Sequence, residues 1–261
     1  MMVTELRVDL SLKENLEKLY ERRKKLKKKL ERMSKTISDT QKRLEKENKN
    51  QDKINEETEL KIKRAQREKS WYEKFNWFIT SEGKLAVGGK DAQQNDILYS
   101  KYFEDNDLFF HAEIKGASAV ILKNGVNASE RELYETAQFA ACYSKAWVSG
   151  LATIDTYHMR KDQVSKHTSE GYTGKGGFAL KGERKWYKNM ELKLTLYAKE
   201  VEGVLILHVF PGDLQTKPKI VVVPGKKKKG EISKTVSKLL KVHPDEVIMM
   251  LPGNSEMKIS R

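Results

Sequence analysis

Cysteine is nearly absent, with Cys142 the one thiol in 261 residues. That excludes an internal disulfide and a cysteine-built zinc cage, and it suits a reducing compartment. No stretch approaches the roughly 18 consecutive apolar residues of a membrane-spanning helix, and the start of the chain carries no apolar run of the signal-peptide kind. A cytoplasmic location without a membrane partner is therefore expected. Glycine first appears at Gly83 and all five prolines lie beyond residue 210, so the first third of the chain has no helix breaker. Negative charge is also short, 37 Asp/Glu against 51 Lys/Arg, for a net charge of +14. With 38% hydrophobic and 34% charged residues the chain is too polar for one uniform core and too apolar for full disorder, and two unlike regions are expected.

The positive charge is concentrated at the beginning. Residues 1–70 hold 22 basic and 14 acidic side chains, a net of +8, which leaves +6 on the longer remainder. Leu12, Leu16, Leu19, Leu26, Leu30, Met33, Ile37 and Leu44 follow the a/d spacing of a coiled coil. Ser11 with Glu14 three residues on is a capping-box start. The stripe falters through 45–52 and resumes at Ile54, Leu60, Ile62 and Ala65, which predicts an antiparallel helical hairpin with its tip near Asn48–Gln51. One continuous helix pairing through a parallel seam is the alternative. Within the first arm, Arg22, Arg23, Lys24, Lys25, Lys27, Lys28 and Lys29 fill seven of eight consecutive positions, with acidic partners only near the ends of the run. Such a run is either a solvated coiled-coil face or a contact for a polyanion that relieves the repulsion, as a phosphate backbone does.

The rest reads as a globular domain. Trp71, Phe75 and Phe78 at i, i+4 and i+7 predict a helical arm plugging into a core. A short strand ends in Gly88 and Gly89, after which Lys90, Asp91 and Asn95 open an amphipathic helix with Asp91 and Gln94 as a capping box. A strand, a glycine turn and a helix start present backbone N–H groups to one spot and suit a phosphate, although glycine pairs are common in turns. Two strands, 107–113 and 117–123, read as a hairpin around Lys115 and Gly116, and Ser129 with Glu132 opens a helix to Trp147 whose small residues place Cys142 in the core. His111 is either a core histidine or a cleft group. Strands are expected near 153–159, 177–181, 191–201 and 204–210, with a glycine- and lysine-rich loop, 164–178, between the first two. That loop is either a connector or a backbone-rich phosphate clamp. A strand at 219–225, four lysines at Lys226–Lys229 and a helix near 233–240 read as a small C-terminal appendix. The expected fold is α+β: a coiled-coil hairpin over 1–76, a mixed α/β domain over 77–210 and a C-terminal extension over 211–261.

Several of these segments, in this order, resemble one family. Trp71-Tyr-Glu-Lys-Phe, Gly88-Gly-Lys-Asp-Ala-Gln-Gln-Asn95, Asp107-Leu-Phe-Phe-His-Ala-Glu113 with Gly116-Ala-Ser118, Ala140-Ala-Cys-Tyr-Ser144 with Ala146-Trp147, Gln163-Val-Ser-Lys166 and Gly177-Phe178 are similar to the NFACT-R domain of the NFACT family. The helical arms look like that family's coiled-coil middle segment. The resemblance implies a part in ribosome-associated quality control, on a large ribosomal subunit that carries a stalled peptidyl-tRNA. It implies tRNA and large-subunit rRNA as partners, and it moves His111, Lys90, Asp91, Asn95 and Lys166 toward RNA-facing roles. Full members carry an NFACT-N domain, and none precedes residue 8 here, so the chain is expected to be a fragment or a stand-alone half. A separate NFACT-N-containing chain, or another quality-control factor, would then be met through the coiled coil.

Three functions compete. The leading one is an RNA-binding module in which Lys90, Lys166 and Lys175 reach phosphates, Lys115 and Ser118 also meet the RNA, His111 gives a polar or stacking contact, and Gly88, Gly89, Gly174, Gly176 and Gly177 let the backbone approach closely. The second is a coiled-coil adaptor without RNA contact. The third is an enzyme using His111 and Asp91 as acid and base, which ranks last because no nucleophile, metal set or nucleotide-binding fingerprint accompanies the pair. No cofactor is expected.

Overall fold

The computed structural model describes residues 6–168 and 171–258, and the chain divides after Gln66 into two units. The first unit is a single α-helix, α1 (Leu12–Gln66), of 55 residues. Its start is closed as expected: the Ser11 N–H donates to Glu14 Oε2 at 2.8 Å and the Glu14 N–H donates to Ser11 Oγ at 3.3 Å. Asn15 adds a second tie, with Nδ2 donating to the Arg7 carbonyl at 2.9 Å.

Beyond its start, α1 departs from expectation. The helix runs unbroken through Asn48–Gln51, so the hairpin is not formed there. The window is polar but contains no breaker, and Glu, Lys and Gln are good helix formers while Asn costs well under about 1 kcal/mol. Polarity interrupts the apolar stripe without interrupting the backbone ladder. Leu16, Leu26, Ile37 and Leu44 remain 55–56% exposed along α1.

The second unit begins with turns at 71–75 followed by β1 (Asn76–Ile79), which corrects the helical arm expected over Trp71–Phe78. Asn-Trp-Phe-Ile suits a strand, and it pairs antiparallel with β2 (Leu85–Gly88), Asn76 facing Gly88. Phe75 and Phe78 are both fully buried, but in different clusters: Phe75 with Leu98 and Phe103, and Phe78 with Phe139 and Phe110. After α2 (Ala92–Tyr102) come β3 (Leu108–Ala112) and β4 (Val120–Leu122), the expected hairpin, with Leu108 opposite Leu122. The capping box of Ser129 and Glu132 opens α3 (Glu130–Cys142), and the short α4 (Lys145–Val148) follows separately.

β5 (Thr153–Arg160) leads into two small ribbons. In these, β6 (Val164–Ser165) pairs with β9 (Ala179–Leu180), and β7 (His167–Thr168) pairs with β8 (Gly171–Tyr172). β10 (Lys185–Glu191) then completes a six-stranded antiparallel sheet in the order β1-β2-β4-β3-β5-β10. A second sheet, in the order β12-β11-β13-β14, is built from β11 (Leu194–Val201), β12 (Val204–Pro211), β13 (Lys219–Lys227) and β14 (Ser255–Lys258). α3 packs on β3, β5 and β10 of the first sheet and on β12 of the second.

The expected C-terminal appendix is part of this body. α5 (Lys229–Leu240) and α6 (Pro244–Met250) bury Ile232, Val236, Leu240 and Val247 in the same core as Phe78, Phe139 and Trp147. Two long-range bonds tie it down: Tyr143 Oη donates to the Met250 carbonyl at 2.6 Å, and Trp147 Nε1 donates to the Asn254 carbonyl at 3.0 Å. Pairing of β13 with β11 draws the C-terminal extension into a sheet whose inner face is apolar. Cys142 is fully buried, and burial pushes its thiol well above its usual range, so it is a core residue and not a nucleophile.

Candidate nucleic-acid interface

The sheet and the glycine loop enclose a cleft of about 790 Å³ in the second unit. Gly89 leaves β2, and Lys90 and Asp91 lead into α2, where Asp91 is the N-cap and its Oδ1 accepts from the Gln94 N–H at 2.8 Å. His111 stands on β3, Lys115 and Ser118 on the turn to β4, Lys145 on α4, Lys175 on the loop and Lys229 at the start of α5. Residues 89–95, 111–118 and 175–177 thus meet in space, as phosphate binding by their combination requires.

Charge in the cleft is one-sided. Lys90, Lys115, Lys145, Lys175 and Lys229 line it with one carboxylate, Asp91, and among the described residues none of the five lysines forms an ion pair. Crowding by protein, and then the charge of Lys229, pull the Lys90 ammonium below its usual range, and crowding does the same to Lys229. A crowded cation that also feels a second positive charge is relieved by an anion beside it. His111 is half-buried; burial lowers it below its usual range, as does Arg184 to a smaller degree, so it is neutral at pH 7. Its Nδ1 faces Tyr157 Oη at 3.5 Å and its ring lies parallel to that of Phe109. No hydrogen bond joins His111 to Asp91 among the described residues, although both line the cleft.

Other expected site residues build the walls. Asn95 is buried and its Oδ1 accepts from the Ala119 N–H at 3.1 Å, and the Ser118 hydroxyl donates to the Gly89 carbonyl at 2.5 Å. Gly89 must be glycine, since a Cβ there would sit 2.8 Å from the Asn95 nitrogen. Gly88 ends β2 opposite Val120. Lys166 is 7% exposed and lines no part of the cleft: its ammonium pairs with Asp96, donates to the Gly177 carbonyl at 2.7 Å and lies 4.3 Å from the centre of the Phe178 ring. Asp96 also accepts from the Gly176 N–H at 3.1 Å, and Gly176, with φ +73°, passes so close to α2 that a Cβ would meet Ala92 at 2.6 Å. The loop is therefore pinned to α2 by Lys166 and Asp96. Gly174 and Gly177 close its turn, the Gly177 N–H donating to the Gly174 carbonyl at 2.9 Å. Arg22, Arg23, Lys24, Lys25, Lys27, Lys28 and Lys29 are all exposed on α1.

Two cleft lysines are absent from the expected set. Lys145 sits one residue after the N-cap Ser144, inside the Ala140–Trp147 segment, and Lys229 belongs to the four-lysine run. The run was a visible signal, whereas only the fold brings either residue beside Lys90.

Residues 74–182 match the family described as the NFACT protein RNA binding domain. Over these residues the chain carries an NFACT RNA binding domain. An archaeal Rqc2 homolog, aRqcH, from Methanocaldococcus jannaschii is 35% identical over 73% of this chain and 29% of its own length. The ribosome quality control complex subunit NEMF homolog of Drosophila melanogaster is 40% identical over 48% of this chain and 13% of its own length. The solved C-terminal part of a fibronectin/fibrinogen-binding protein from Streptococcus suis shares 21% identity and a TM-score of 0.40 over 49% of each chain. The chain spans less than a third of the length of the two curated relatives. The NFACT RNA binding domain covers β1 to β9 and holds every cleft lysine but Lys229. Among the described residues no helix is long and apolar enough to cross a membrane.

Proposed function

We propose that this chain is an RNA-binding component of ribosome-associated quality control, holding tRNA or large-subunit rRNA by its phosphate backbone in the lysine-lined cleft. The observation that carries this reading is the set of five lysines without ion-pair partners around one cleft, among the described residues, with the charge of Lys229 adding to the burial that lowers Lys90. Lys90, Lys115, Lys145, Lys175 and Lys229 contact phosphates. Gly88, Gly89, Asp91, Asn95, Ser118 and Lys166 set the positions of those lysines and of the loop backbone, and His111 adds a neutral contact. Phosphate-directed binding weakens linearly in log affinity against log salt, with each phosphate contact adding about 0.7–0.9 to the slope. Titrating tRNA and rRNA fragments between roughly 50 and 200 mM salt checks this. A flat response sinks the reading.

A second role rests on α1. Its exposed apolar stripe suits a coiled-coil partner, such as an NFACT-N-containing chain or another quality-control factor, and the run Arg22–Lys29 lies on the same helix. Reversing the charge of that run separates the two uses: RNA affinity falls if the run touches phosphate and stays if the helix serves only as an adaptor.

A further inference from the structure

The cleft opens onto a row of rings that crosses the first sheet. His111 on β3 faces Tyr157 on β5, and Tyr157 faces Trp186 on β10, residue opposite residue in both registers. All three side chains therefore stand on one side of the sheet, with ring centres 5.9 Å and 5.1 Å apart along the row. His111 and Tyr157 line the cleft, and Trp186, on the edge strand, is 40% exposed. Packing does not explain that exposure, because Tyr157 is already covered by the Arg184 guanidinium 4.7 Å from its ring centre. Lys188 lies 4.5 Å over the Trp186 ring itself. An aromatic face bordered by cations and continuous with a phosphate-binding cleft matches a planar ring that carries a phosphate, which is a nucleotide.

The edge is a poor template for a protein strand. The ladder with β5 shifts register between Tyr187 and Met190, Asn189 takes the left-handed φ of 53°, and Lys185 and Lys188 add charge. A base paired inside a duplex presents its edges and not its face, so only an unpaired base can stack on Trp186.

We propose that Trp186, at the end of the His111–Tyr157 row, stacks an unpaired nucleobase, so that the RNA held by this domain is single-stranded where it crosses β10. The proposal rests on the reading of the cleft as an RNA site. The test compares a labelled single-stranded oligoribonucleotide with its duplex of equal length, on the full chain and on Trp186→Ala and Trp186→Phe. The single strand binds more tightly than the duplex, and Trp186→Ala weakens it by about 5- to 100-fold without changing the salt slope. Trp186→Phe, which keeps a ring, retains most of the affinity while the part of the RNA-induced quenching that comes from Trp186 is lost. Equal affinity for single strand and duplex, or Trp186→Ala binding as the unaltered chain does, overturns the stacking proposal while leaving the cleft reading in place. Failure of the unaltered chain to bind either RNA removes both. A folded Trp186→Ala, checked by circular dichroism, that loses duplex and single strand alike assigns Trp186 to cleft shape and also overturns the proposal.

Discussion

The two units of this chain use hydrophobic residues in opposite ways. α1 carries a leucine stripe along 55 residues and leaves Leu16, Leu26, Leu30 and Leu44 more than half exposed, whereas the second unit seals Phe78, Phe139 and Trp147 to within 1% of complete burial. Helical propensity and end capping suffice to draw α1, since the backbone bonds of a helix are local. The stability of the second unit comes from contacts between segments far apart in the chain. An apolar pattern therefore marks where burial is possible, and a fold decides where it occurs.

Substitutions give the sharpest test of that contrast. Phe139→Ala, which empties a site between the two sheets, is expected to cost about 3–5 kcal/mol in urea unfolding of the second unit. Leu30→Ala on α1 is expected to change stability by about 0.5 kcal/mol or less. A cost at Leu30 that approached the Phe139 value, and that faded on dilution, would show the stripe to be covered in solution by another chain.

Acid should separate the units next. All five histidines lie beyond residue 110, and in His158 and His208 burial, followed by neighbouring lysines, lowers the ring to about 4. Both are neutral when folded, and each takes up a proton below about pH 6.5 once unfolded. Stability is then full above pH 6.5 and falls as pH drops toward 4, by about 1.4 kcal/mol per pH unit for each histidine. Near-ultraviolet circular dichroism of the second unit should show the loss while the helical signal of α1 persists. Simultaneous loss of both signals would mean that the two units unfold as one.

A smaller effect is expected from the loop tie. Lys166→Met leaves Asp96 without its cation and should cost about 1–3 kcal/mol. It should also weaken RNA binding without altering the salt slope, because the Lys166 ammonium is held by Asp96 and the Gly177 carbonyl. A slope that fell with Lys166→Met would return this lysine to the ligand side. Finest of all, Lys115→Gln and Lys175→Gln should each lower the slope by about 1. Comparison with the charge-reversed Arg22–Lys29 run then shows whether RNA touches the second unit alone or both.

Much of this was legible in the sequence, in proportion to how local each feature is. The capping boxes at Ser11 and Ser129, the β3–β4 hairpin and the burial of Cys142 follow from residues a few positions apart. Whether α1 turns back on itself does not, because its polar middle is compatible with either a tip or an unbroken helix. Trp71–Phe78 misled since its spacing fits a helical face, whereas β1 instead sends Phe75 and Phe78 into separate clusters. β10 was hidden by its composition: Lys-Trp-Tyr-Lys-Asn-Met-Glu lacks clean alternation, and its register shift is the physical reason. The glycine and lysine segments of the cleft stood out, but the pairing of Lys166 with Asp96, seventy positions apart, depends wholly on the fold.

The sealed thiol of Cys142 also makes the chain, as it stands, a blank slate for site-directed labelling. A cysteine placed at Lys175 on the loop would be the one reagent-accessible thiol, so a single dye there reports changes in the surroundings of the loop without any need to remove the native residue.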